Sequence, residues 1–268
     1  MMDFKDKVVV VTGASSGIGA ALARSFSARG AHVVAGARSM DKLEAVVASL
    51  PVRSLAVQCD VSREEDCKRL IQAGVDAFGR IDVLVNNAGI SMRALFDEVD
   101  LDVLRRLMDT NFWGCVYCTK YALPYIQASR GSIVGISSVA GFHGLPGRTG
   151  YSASKYAMQG LLETVRIENL KKGVHVLIVA PGFTASNVRF AALTADGSQQ
   201  GRSPREEGKM MTADEAAERI VRAIAKRKRT LLMDFDGKAT RILKFWAPGW
   251  LDRLYYNHMA KEPDSPFK

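Results

Sequence analysis

The stretch Thr12-Gly13-Ala14-Ser15-Ser16-Gly17-Ile18-Gly19 decides the fold of this chain. A short β-branched run, Val8–Val11, precedes it, and a helical pattern over residues 20–29 follows it. A strand, a glycine-rich turn and a helix in this order are typical of a dinucleotide-binding unit. There the glycines let the backbone approach a pyrophosphate, whose charge is met by the helix N-terminus. The spacing is Gly-x-x-x-Gly-x-Gly rather than Gly-x-Gly-x-x-Gly, and a tight turn that binds no ligand is the alternative.

Strand-like and helical segments alternate without a linker to about Leu232. Apolar runs such as 83–85 and 174–179 are typical of strands covered on both faces. We expect strands near residues 7–12, 31–36, 53–58, 82–85, 131–137, 174–180 and 230–233, and helices near residues 17–29, 39–49, 62–78, 100–128, 150–172 and 213–226. This order predicts an α/β fold, a doubly wound Rossmann-type parallel sheet of about seven strands with helices on both faces. We assign residues 1–235 to a dinucleotide-binding catalytic domain and residues 236–268 to a C-terminal amphipathic extension.

Tyr151 and Lys155 form a Tyr-x-x-x-Lys pair, and Ser138 lies thirteen residues upstream of the tyrosine. Residues four apart share one face of a helix, so the ammonium can lie beside the phenol. We expect that ammonium to lower the pKa of the phenol by up to about three units. Tyr151 then becomes a proton donor and acceptor near neutral pH. Taken alone, the pair also fits an ordinary surface helix.

Together these segments resemble the short-chain dehydrogenase/reductase family over about Lys5 to Met233. The motifs that carry the resemblance are Thr12–Gly19, Asn86-Asn87-Ala88-Gly89, Asn111, Ser138, Tyr151, Lys155 and Pro181-Gly182. Segments 91–108 and 136–141 are most similar to hydroxysteroid-dehydrogenase-like carbonyl reductases. The chain departs from many relatives at Gly135, where they have Asn, but this position lies away from the matched catalytic residues.

The resemblance implies an enzyme with a catalytic group of Asn111, Ser138, Tyr151 and Lys155. Tyr151 would exchange a proton with the substrate oxygen, and Ser138 would hold that oxygen. Lys155 would lower the pKa of Tyr151 and bind the nicotinamide ribose. Asn111 would bend its helix and fix a water that relays protons towards Lys155. The implied cofactor-binding residues are Gly13, Ser15, Ser16, Gly17, Ile18, Gly19, Arg38, Asp60, Val61, Asn87, Ala88, Gly89, Tyr151, Lys155, Pro181, Gly182 and Thr184, with Ser186 at a position often taken by Thr.

The residues after the second predicted strand indicate which cofactor binds. NAD-binding members of this fold place an acidic residue here to bind the ribose 2′-hydroxyl. This chain has Ala37 followed by Arg38, and a guanidinium forms charge-assisted bonds to a 2′-phosphate. We therefore predict NADP(H) as the cofactor. The alternative is that Arg38 merely covers the adenine.

The predicted reaction interconverts a hydrophobic ketone or aldehyde and a secondary alcohol by hydride transfer. Apolar residues that follow strand ends would line the substrate pocket; they are Met92, Leu95, Phe96, Phe142, Leu145 and Phe183. Residues 194–208 are polar and glycine-rich, which fits either a substrate lid or a plain loop. The alternative functions are a catalytically silent NADP-binding sensor and a membrane-associated scaffold.

Charge, cysteine and histidine content bear on whether the protein binds nucleic acid or a metal. The formal charge is +9, but no nucleic-acid-binding module accompanies it, so no nucleic-acid partner is expected. Cys115 and Cys118 have no second pair and fall in an apolar helix, where cysteine is usually a small buried hydrophobe. The histidines show no ligand spacing, so no metal is expected. We expect a cytoplasmic protein without a secretory signal or transmembrane helix, and a homodimer or homotetramer formed through helices 101–128 and 151–172, as in relatives.

The C-terminal extension is amphipathic. Lys238, Arg241 and Lys244 recur every three residues and form a basic face, whereas the apolar residues Ala239, Ile242, Leu243 and Trp246 gather on the other side. Such a helix either docks its apolar face on the catalytic domain or a partner subunit, or attaches the protein peripherally to a membrane. The sequence leaves both possibilities open.

Overall fold

Seven parallel strands form one sheet in the part of the chain that the structure describes. This computed structural model describes residues 2–182, 184, 190–201, 210–262 and 265–267. The strands are β1 (Val8–Thr12), β2 (His32–Ala37), β3 (Leu55–Gln58), β4 (Val83–Asn86), β5 (Ser132–Ile136), β6 (His175–Ala180) and β7 (Thr230–Leu232). Their order across the sheet is β3-β2-β1-β4-β5-β6-β7, so the winding reverses between β1 and β4. The predicted doubly wound sheet is confirmed.

Helices connect the strands and cover the sheet. They are α1 (Gly17–Ser27), α2 (Met40–Ala48), α3 (Glu64–Phe78), α4 (Leu101–Met108), α5 (Gly114–Ser129), α6 (Thr149–Glu168), α7 (Ala213–Ala225), α8 (Phe235–Trp246) and α9 (Pro248–Ala260), with 3₁₀ turns at Val139–Gly141 and Leu170–Lys172. All six helices predicted from the sequence are present, although the longest is divided. Helices α8 and α9 occupy the segment assigned to the C-terminal extension.

Alternation along the strands divides the core into two layers. In β1, Val9 and Val11 pack with α1 and α7, whereas Val8 and Val10 pack with α3 and α5 on the opposite face. Successive strand residues point to opposite faces, so a continuous apolar run fills both layers. All four valines are buried, which holds β1 rigidly at the centre of the sheet.

The long central helix differs from its prediction. A π-helical segment, Asp109–Trp113, joins α4 to α5, and α5 continues past Pro124 to Ser129. Pro124, which cannot donate a backbone hydrogen bond, therefore lies inside the helix and does not end it. π-helical turns are rare and concentrate at functional sites, and this one contains Asn111.

Helices α8 and α9 pack on the catalytic domain, but only in part through the apolar face that the sequence suggested, in which Ala239 and Leu243 are partly buried. Lys244 Nζ donates a 2.7 Å hydrogen bond to the Tyr156 hydroxyl, and the Arg241 guanidinium lies 5.8 Å from the centre of the Phe142 ring. In contrast, the side chains of Ile242 and Trp246 are 62% and 85% exposed. Two of the three predicted basic residues thus contact aromatic rings of the domain, because their aliphatic stems cover apolar surface as well as carrying charge.

Candidate active site

The glycine-rich turn between β1 and α1 leaves no room for a side chain at Gly13 or Gly19. Gly13 and Gly17 have φ angles of +65° and +54°, a region that favours glycine. A Cβ on Gly13 would lie 2.9 Å from the Ala88 Cα, and a Cβ on Gly19 would collide with the Gly13 carbonyl oxygen. The glycines therefore let the turn close against the segment after β4 and leave its backbone open to a ligand.

Thr12 and Asn87 lock this turn to β4. The Thr12 hydroxyl accepts hydrogen bonds from the backbone N–H groups of Asn87 and Ala88, both at 3.0 Å. The Asn87 side-chain amide donates to the Thr12 carbonyl oxygen at 2.8 Å. The carboxyl ends of β1 and β4 lie on the two sides of the point where the sheet reverses. In folds of this type that is where ligands bind.

One cavity of about 660 Å³ runs along this edge of the sheet. The predicted site residues that line it are Gly13, Ser15, Ser16, Gly17, Ile18, Arg38, Asp60, Val61, Asn87, Ala88, Gly89, Ser138, Tyr151, Lys155, Pro181, Gly182 and Thr184. Two predicted residues do not line it: Gly19 lies beneath the turn, and Asn111 is fully buried behind Gly89. Ser186 lies outside the described residues.

Helix α6 presents Tyr151 and Lys155 on the same face. The Lys155 Nζ atom lies 5.7 Å from the centre of the Tyr151 ring and donates a 2.8 Å hydrogen bond to the Ile136 carbonyl oxygen at the end of β5. Burial disfavours the charged ammonium and lowers the pKa of Lys155 to about 8. The lysine is thus poised to change its charge not far from neutral pH.

The pKa of Tyr151 is set by three opposing influences. Burial of the phenol raises its pKa, while a hydrogen bond with Ser138 and the positive charge of Arg148 each lower it, and the net direction is upward. The expected net lowering by Lys155 is therefore wrong for the protein chain by itself. The reason is that desolvation of the phenolate raises the pKa by more than the Ser138 hydrogen bond and the charge of Arg148 lower it.

Asn111 acts as a backbone clamp. Its Oδ1 accepts from the Ile90 N–H at 2.8 Å, and its Nδ2 donates to the Ile90 carbonyl at 2.9 Å and to the Ser154 hydroxyl at 2.9 Å. A Cβ placed on Gly89 would lie 3.0 Å from Asn111 Oδ1 and 3.4 Å from Lys155 Nζ, so both groups converge behind that glycine. The proton-relaying water at Asn111 stays a prediction.

The opposite end of the cavity carries the groups that would recognise adenosine. Arg38 follows β2 directly, is exposed and lines the cavity, and no carboxylate stands at Ala37. The Asp60 carboxylate accepts hydrogen bonds from the backbone N–H and the hydroxyl of Ser62 at 3.0 and 2.8 Å. A single cation is therefore placed where an acidic residue would otherwise face the ribose.

The substrate side differs most from its prediction. Of the five proposed apolar residues that the structure describes, only Leu145 lines the cavity; Met92 is core and Phe96 is exposed, and Phe183 lies outside the described residues. Much of the wall comes from α8, α9 and the turn after α9, through Ala239, Thr240, Leu243, Leu251, Leu254, Tyr255, His258, Met259 and Glu262. Ala239 and Leu243 belong to the predicted apolar face of the extension, so part of that face meets the catalytic domain, as one of the two alternatives expected.

Several other expectations concern this region. The cysteines Cys115 and Cys118 are buried and free, as expected for small hydrophobes.

The structure describes residues 194–201 of the proposed lid, and residues 202–209 lie outside the described ones. In the described part, the Asp196 carboxylate accepts hydrogen bonds from the Thr194 hydroxyl and the Ser198 N–H. Within the described ranges, no group of three His, Cys, Asp or Glu side chains is arranged to hold a metal.

Comparison with known proteins decides the family. Residues 7–196 match the family model for short chain dehydrogenases. The chain belongs to this family. A relative named 11-beta-hydroxysteroid dehydrogenase A, from Arachis hypogaea, is 38% identical over 273 residues, which cover 97% of this chain and 78% of the relative. Its name agrees with the hydroxysteroid-dehydrogenase-like character expected from the sequence.

Two solved structures, a short chain dehydrogenase/reductase and an alcohol dehydrogenase, show the same fold. One, from Burkholderia phymatum in complex with NAD, has a TM-score of 0.83 and 24% identity, with coverage of 94% of this chain and 97% of that one. The other, an alcohol dehydrogenase from Thermococcus sibiricus complexed with 5-hydroxy-NADP, has a TM-score of 0.75 and 27% identity, with coverage of 85% and 95%. One of these proteins binds NAD and the other an NADP derivative.

This short chain dehydrogenase is an oxidoreductase that uses a nicotinamide cofactor. Its residues fit that group, because the positive-φ glycines leave a cradle that a Cβ would fill and the cavity continues from there to Tyr151. When bound, the nicotinamide accepts or supplies the hydride. The chain itself would supply the pyrophosphate site at the N-terminus of α1, and the hydroxyl of Tyr151, with Ser138 beside it, as the group that could transfer a proton.

Proposed function

We propose that this protein is an NADP(H)-dependent carbonyl reductase or alcohol dehydrogenase that interconverts a hydrophobic ketone or aldehyde and a secondary alcohol. The observation that carries the proposal is that Ser138 and Tyr151, which are hydrogen-bonded to each other, line the same cavity as the glycine-rich turn. The two hydroxyls supply a hydrogen-bonding site for one substrate oxygen. Proton exchange at that oxygen completes hydride transfer at the adjacent carbon.

Arg38 supports NADP(H) rather than NAD(H). Its guanidinium lines the cavity next to Ala37, where a carboxylate would repel a 2′-phosphate. Because guanidinium groups bind phosphate in a bidentate manner, this position favours the phosphorylated cofactor by charge and by geometry.

The wall contributed by the C-terminal helices supports a hydrophobic substrate. Leu243, Leu251, Leu254 and Met259 all face the cavity from α8 and α9. Apolar surface of this kind favours ligands that lose little hydration on entry. The relative's name, 11-beta-hydroxysteroid dehydrogenase A, supports steroid-like ketones as candidate substrates. Aromatic and long-chain ketones are further candidates, because they are also apolar.

Replacement of Tyr151 by Phe tests the reaction. The wild-type enzyme should oxidise NADPH with at least one ketone of a panel that includes steroid-like, aromatic and long-chain compounds. Tyr151→Phe should abolish this turnover while NADPH affinity stays within a few-fold, because the glycine turn holds most of the cofactor. Turnover at near-normal kcat would refute the assignment of Tyr151, and NADPH binding without turnover of any ketone by the wild type would favour the silent sensor.

We propose further that the protein forms a homodimer or homotetramer. Trp113, at the end of the π-helical segment, and Ile167 in α6 are 43% and 63% exposed, and Leu170 just beyond α6 is 66% exposed. Exposed apolar residues on adjacent long helices are suited to burial against a second copy. Light scattering at micromolar concentration should give at least twice the mass of the chain, and a monomer would contradict this proposal.

The exposed part of α8 and α9 supports a peripheral contact of a cytoplasmic protein with a membrane. Ile242, Phe245, Trp246 and Trp250 are all more than half exposed, and Lys238 on the same helix as the first three is exposed and basic. Exposed aromatic and basic side chains together suit the interface of an anionic bilayer. Among the described residues, no helix combines the length and the apolar character needed to span a membrane.

A further inference from the structure

Arg148 occupies an unfavourable position for a cation. It is the N-cap residue of α6, a helix of 20 residues whose N-terminus already carries partial positive charge. A residue that accepts the backbone N–H groups of the first turn is preferred there, yet Arg148 makes no side-chain cap hydrogen bond. A cation held against the helix dipole indicates a requirement other than helix stability.

The guanidinium is held in place by the segment after β4. Its Nη1 atom donates to the Ser91 hydroxyl at 3.1 Å and to the Met92 carbonyl oxygen at 2.8 Å. This one nitrogen therefore joins the start of α6 to the chain that follows Gly89 and Ile90. A side chain fixed at two oxygen atoms keeps its charge in one place, which an unrestrained surface arginine does not.

The fixed charge lies near the reacting phenol. Arg148 and Tyr151 line the same cavity, and Tyr151 is the third residue of α6, close to the dipole-rich helix N-terminus. The charge of Arg148 lowers the pKa of the Tyr151 phenol and so opposes the effect of burial. Lys155, a cation one turn further along this helix than Tyr151, points its Nζ at the Ile136 carbonyl.

The remaining charged groups around the cavity are placed differently. From the C-terminal part, the strand-end residue Asp234 and the tail residues His258 and Glu262 line the cavity, while Arg38 and Asp60 line its cofactor end. Glu262 lies 3.4 Å from Arg93, which balances its charge. Among the charged residues that the structure describes around the cavity, Arg148 is the one that caps the helix carrying Tyr151 and also lowers the pKa of its phenol.

We propose that Arg148 is a positioning residue that stabilises the phenolate form of Tyr151 and fixes the segment of Ser91 and Met92 over the site. The inference rests on the proposed function. In alcohol oxidation, the phenolate takes the O–H proton of the substrate while the C–H hydrogen leaves as hydride to the oxidised nicotinamide, and the C=O bond forms. Arg148 is neither oxidised nor deprotonated; it lowers the cost of the negative charge on Tyr151 before that proton arrives.

Three variants separate charge from scaffolding. Arg148→Gln removes the charge, and Arg148→Lys keeps the charge but loses the planar guanidinium. Ser91→Ala removes one of the two hydrogen bonds of Arg148 and leaves the guanidinium. The pH dependence of kcat/KM for oxidation of the alcohol that corresponds to the best ketone is measured for each. Each profile is normalised to its own alkaline plateau. At one pH on the acid limb, the normalised kcat/KM of Arg148→Gln should be about tenfold below that of the wild type, because its midpoint lies at higher pH. The other two variants should keep the wild-type midpoint.

A second measurement needs no substrate. The absorbance of tyrosinate is titrated for each protein and for its Tyr151→Phe counterpart, and the difference isolates Tyr151. Arg148→Gln should titrate at higher pH than wild type, and Arg148→Lys near it. If Arg148→Gln does not fold, Arg148→Met, which keeps the aliphatic stem, takes its place.

An unchanged Tyr151 titration in the neutral variant overturns the inference, as does an equal shift in Ser91→Ala, which would assign the effect to the loop. A shifted titration in a protein that turns over no carbonyl compound would leave the role of the charge intact and refute the proposed function instead. The two failures are therefore distinguishable.

Discussion

The ammonium of Lys155 and the carbonyl oxygen of Ile136 are 2.8 Å apart, and the lysine is only 3% exposed to solvent. One hydrogen bond does not replace the hydration of an ammonium, so burial lowers the pKa of Lys155 to about 8. The helix therefore carries a side chain that serves the site at a cost to the stability of the fold.

Replacement of Lys155 by Met should stabilise the protein at neutral pH while abolishing turnover. Between about pH 8 and the ordinary lysine value of 10.5, the unfolded chain binds a proton that the folded chain does not. Stability of the wild type therefore rises with pH across that window, and the penalty is fully present below it. We expect Lys155→Met to raise the free energy of unfolding by on the order of 2 kcal/mol at pH 7.

The measurement is chemical denaturation of both proteins from pH 7 to pH 10.5. The gain should shrink as pH rises through 8, because the wild-type lysine then folds in its neutral form. Lys120→Met on the exposed face of α5 is the control and should show no such pH dependence. A gain that is the same at every pH would contradict the assignment of the penalty to the buried charge.

Replacement of Arg38 by Asp should reverse the cofactor preference. The carboxylate would repel a 2′-phosphate and accept hydrogen bonds from a ribose 2′-hydroxyl, so KM for NADPH should rise far more than KM for NADH. Steady-state kinetics with both cofactors measures the change. Lys42→Asp, on the exposed part of α2 and away from the cavity, makes the same charge change and should leave the preference intact. An equal loss with both cofactors would show that Arg38 does not read the 2′-phosphate.

The sheet could be predicted because its signals are local. A run such as Val8–Val11 places alternate side chains in two core layers, and both layers are apolar, so the period and the composition give the same answer. The glycines of the turn were equally readable, since Gly13 and Gly17 need positive φ angles. Residues that meet the cofactor edge follow directly from the ends of such strands.

The substrate side could not be predicted in the same way, because it depends on contacts between distant segments. The spacing in α8 predicted an apolar face that either docks or meets a membrane; Leu243 lines the cavity, whereas Ile242 and Trp246 are exposed and Lys244 and Arg241 pack on Tyr156 and Phe142. Helical periodicity shows that a helix has two faces but not which face meets which neighbour. A bend at Asn111 was expected from the family resemblance, but its π-helical form was not, because the clamp of Asn111 on Ile90 is made 21 residues away.

Loss of the Asn111 side chain should destabilise the fold and impair catalysis together. Asn111→Ala would leave the part-buried N–H and carbonyl of Ile90 without the Asn111 side chain as partner, which costs up to about 2–4 kcal/mol for two polar groups. Urea denaturation should show this loss, and kcat should fall because Lys155 and Gly89 lie against the same amide. Asn257→Ala, at an exposed position in α9, is the control and should change stability by less than about 0.5 kcal/mol. A stable but inactive Asn111→Ala protein would assign the residue to proton relay rather than to the clamp.

The exposed aromatic residues of α8 should decide whether the protein binds anionic membranes. Phe245 and Trp246 are 79% and 85% exposed and do not line the cavity, so their replacement by Ser removes apolar surface without opening the substrate wall. Removal of the whole tail would also delete buried Thr240 and Leu251, and for that reason the double substitution is the sharper experiment.

Wild-type protein should co-sediment with vesicles that contain anionic lipid at low salt, and less so at high salt, because exposed charges are then screened. Each aromatic side chain withdrawn from water contributes about 1.5–3 kcal/mol, so the double variant should bind at least about tenfold more weakly. Its kcat with a water-soluble ketone should stay close to the wild-type value. Phe96→Ser, which removes a side chain that is 65% exposed on another surface, is the matched control and should bind as the wild type does. If the wild type does not pellet at low salt, or if the double variant binds equally well, α8 and α9 serve the substrate wall alone and the membrane contact is refuted.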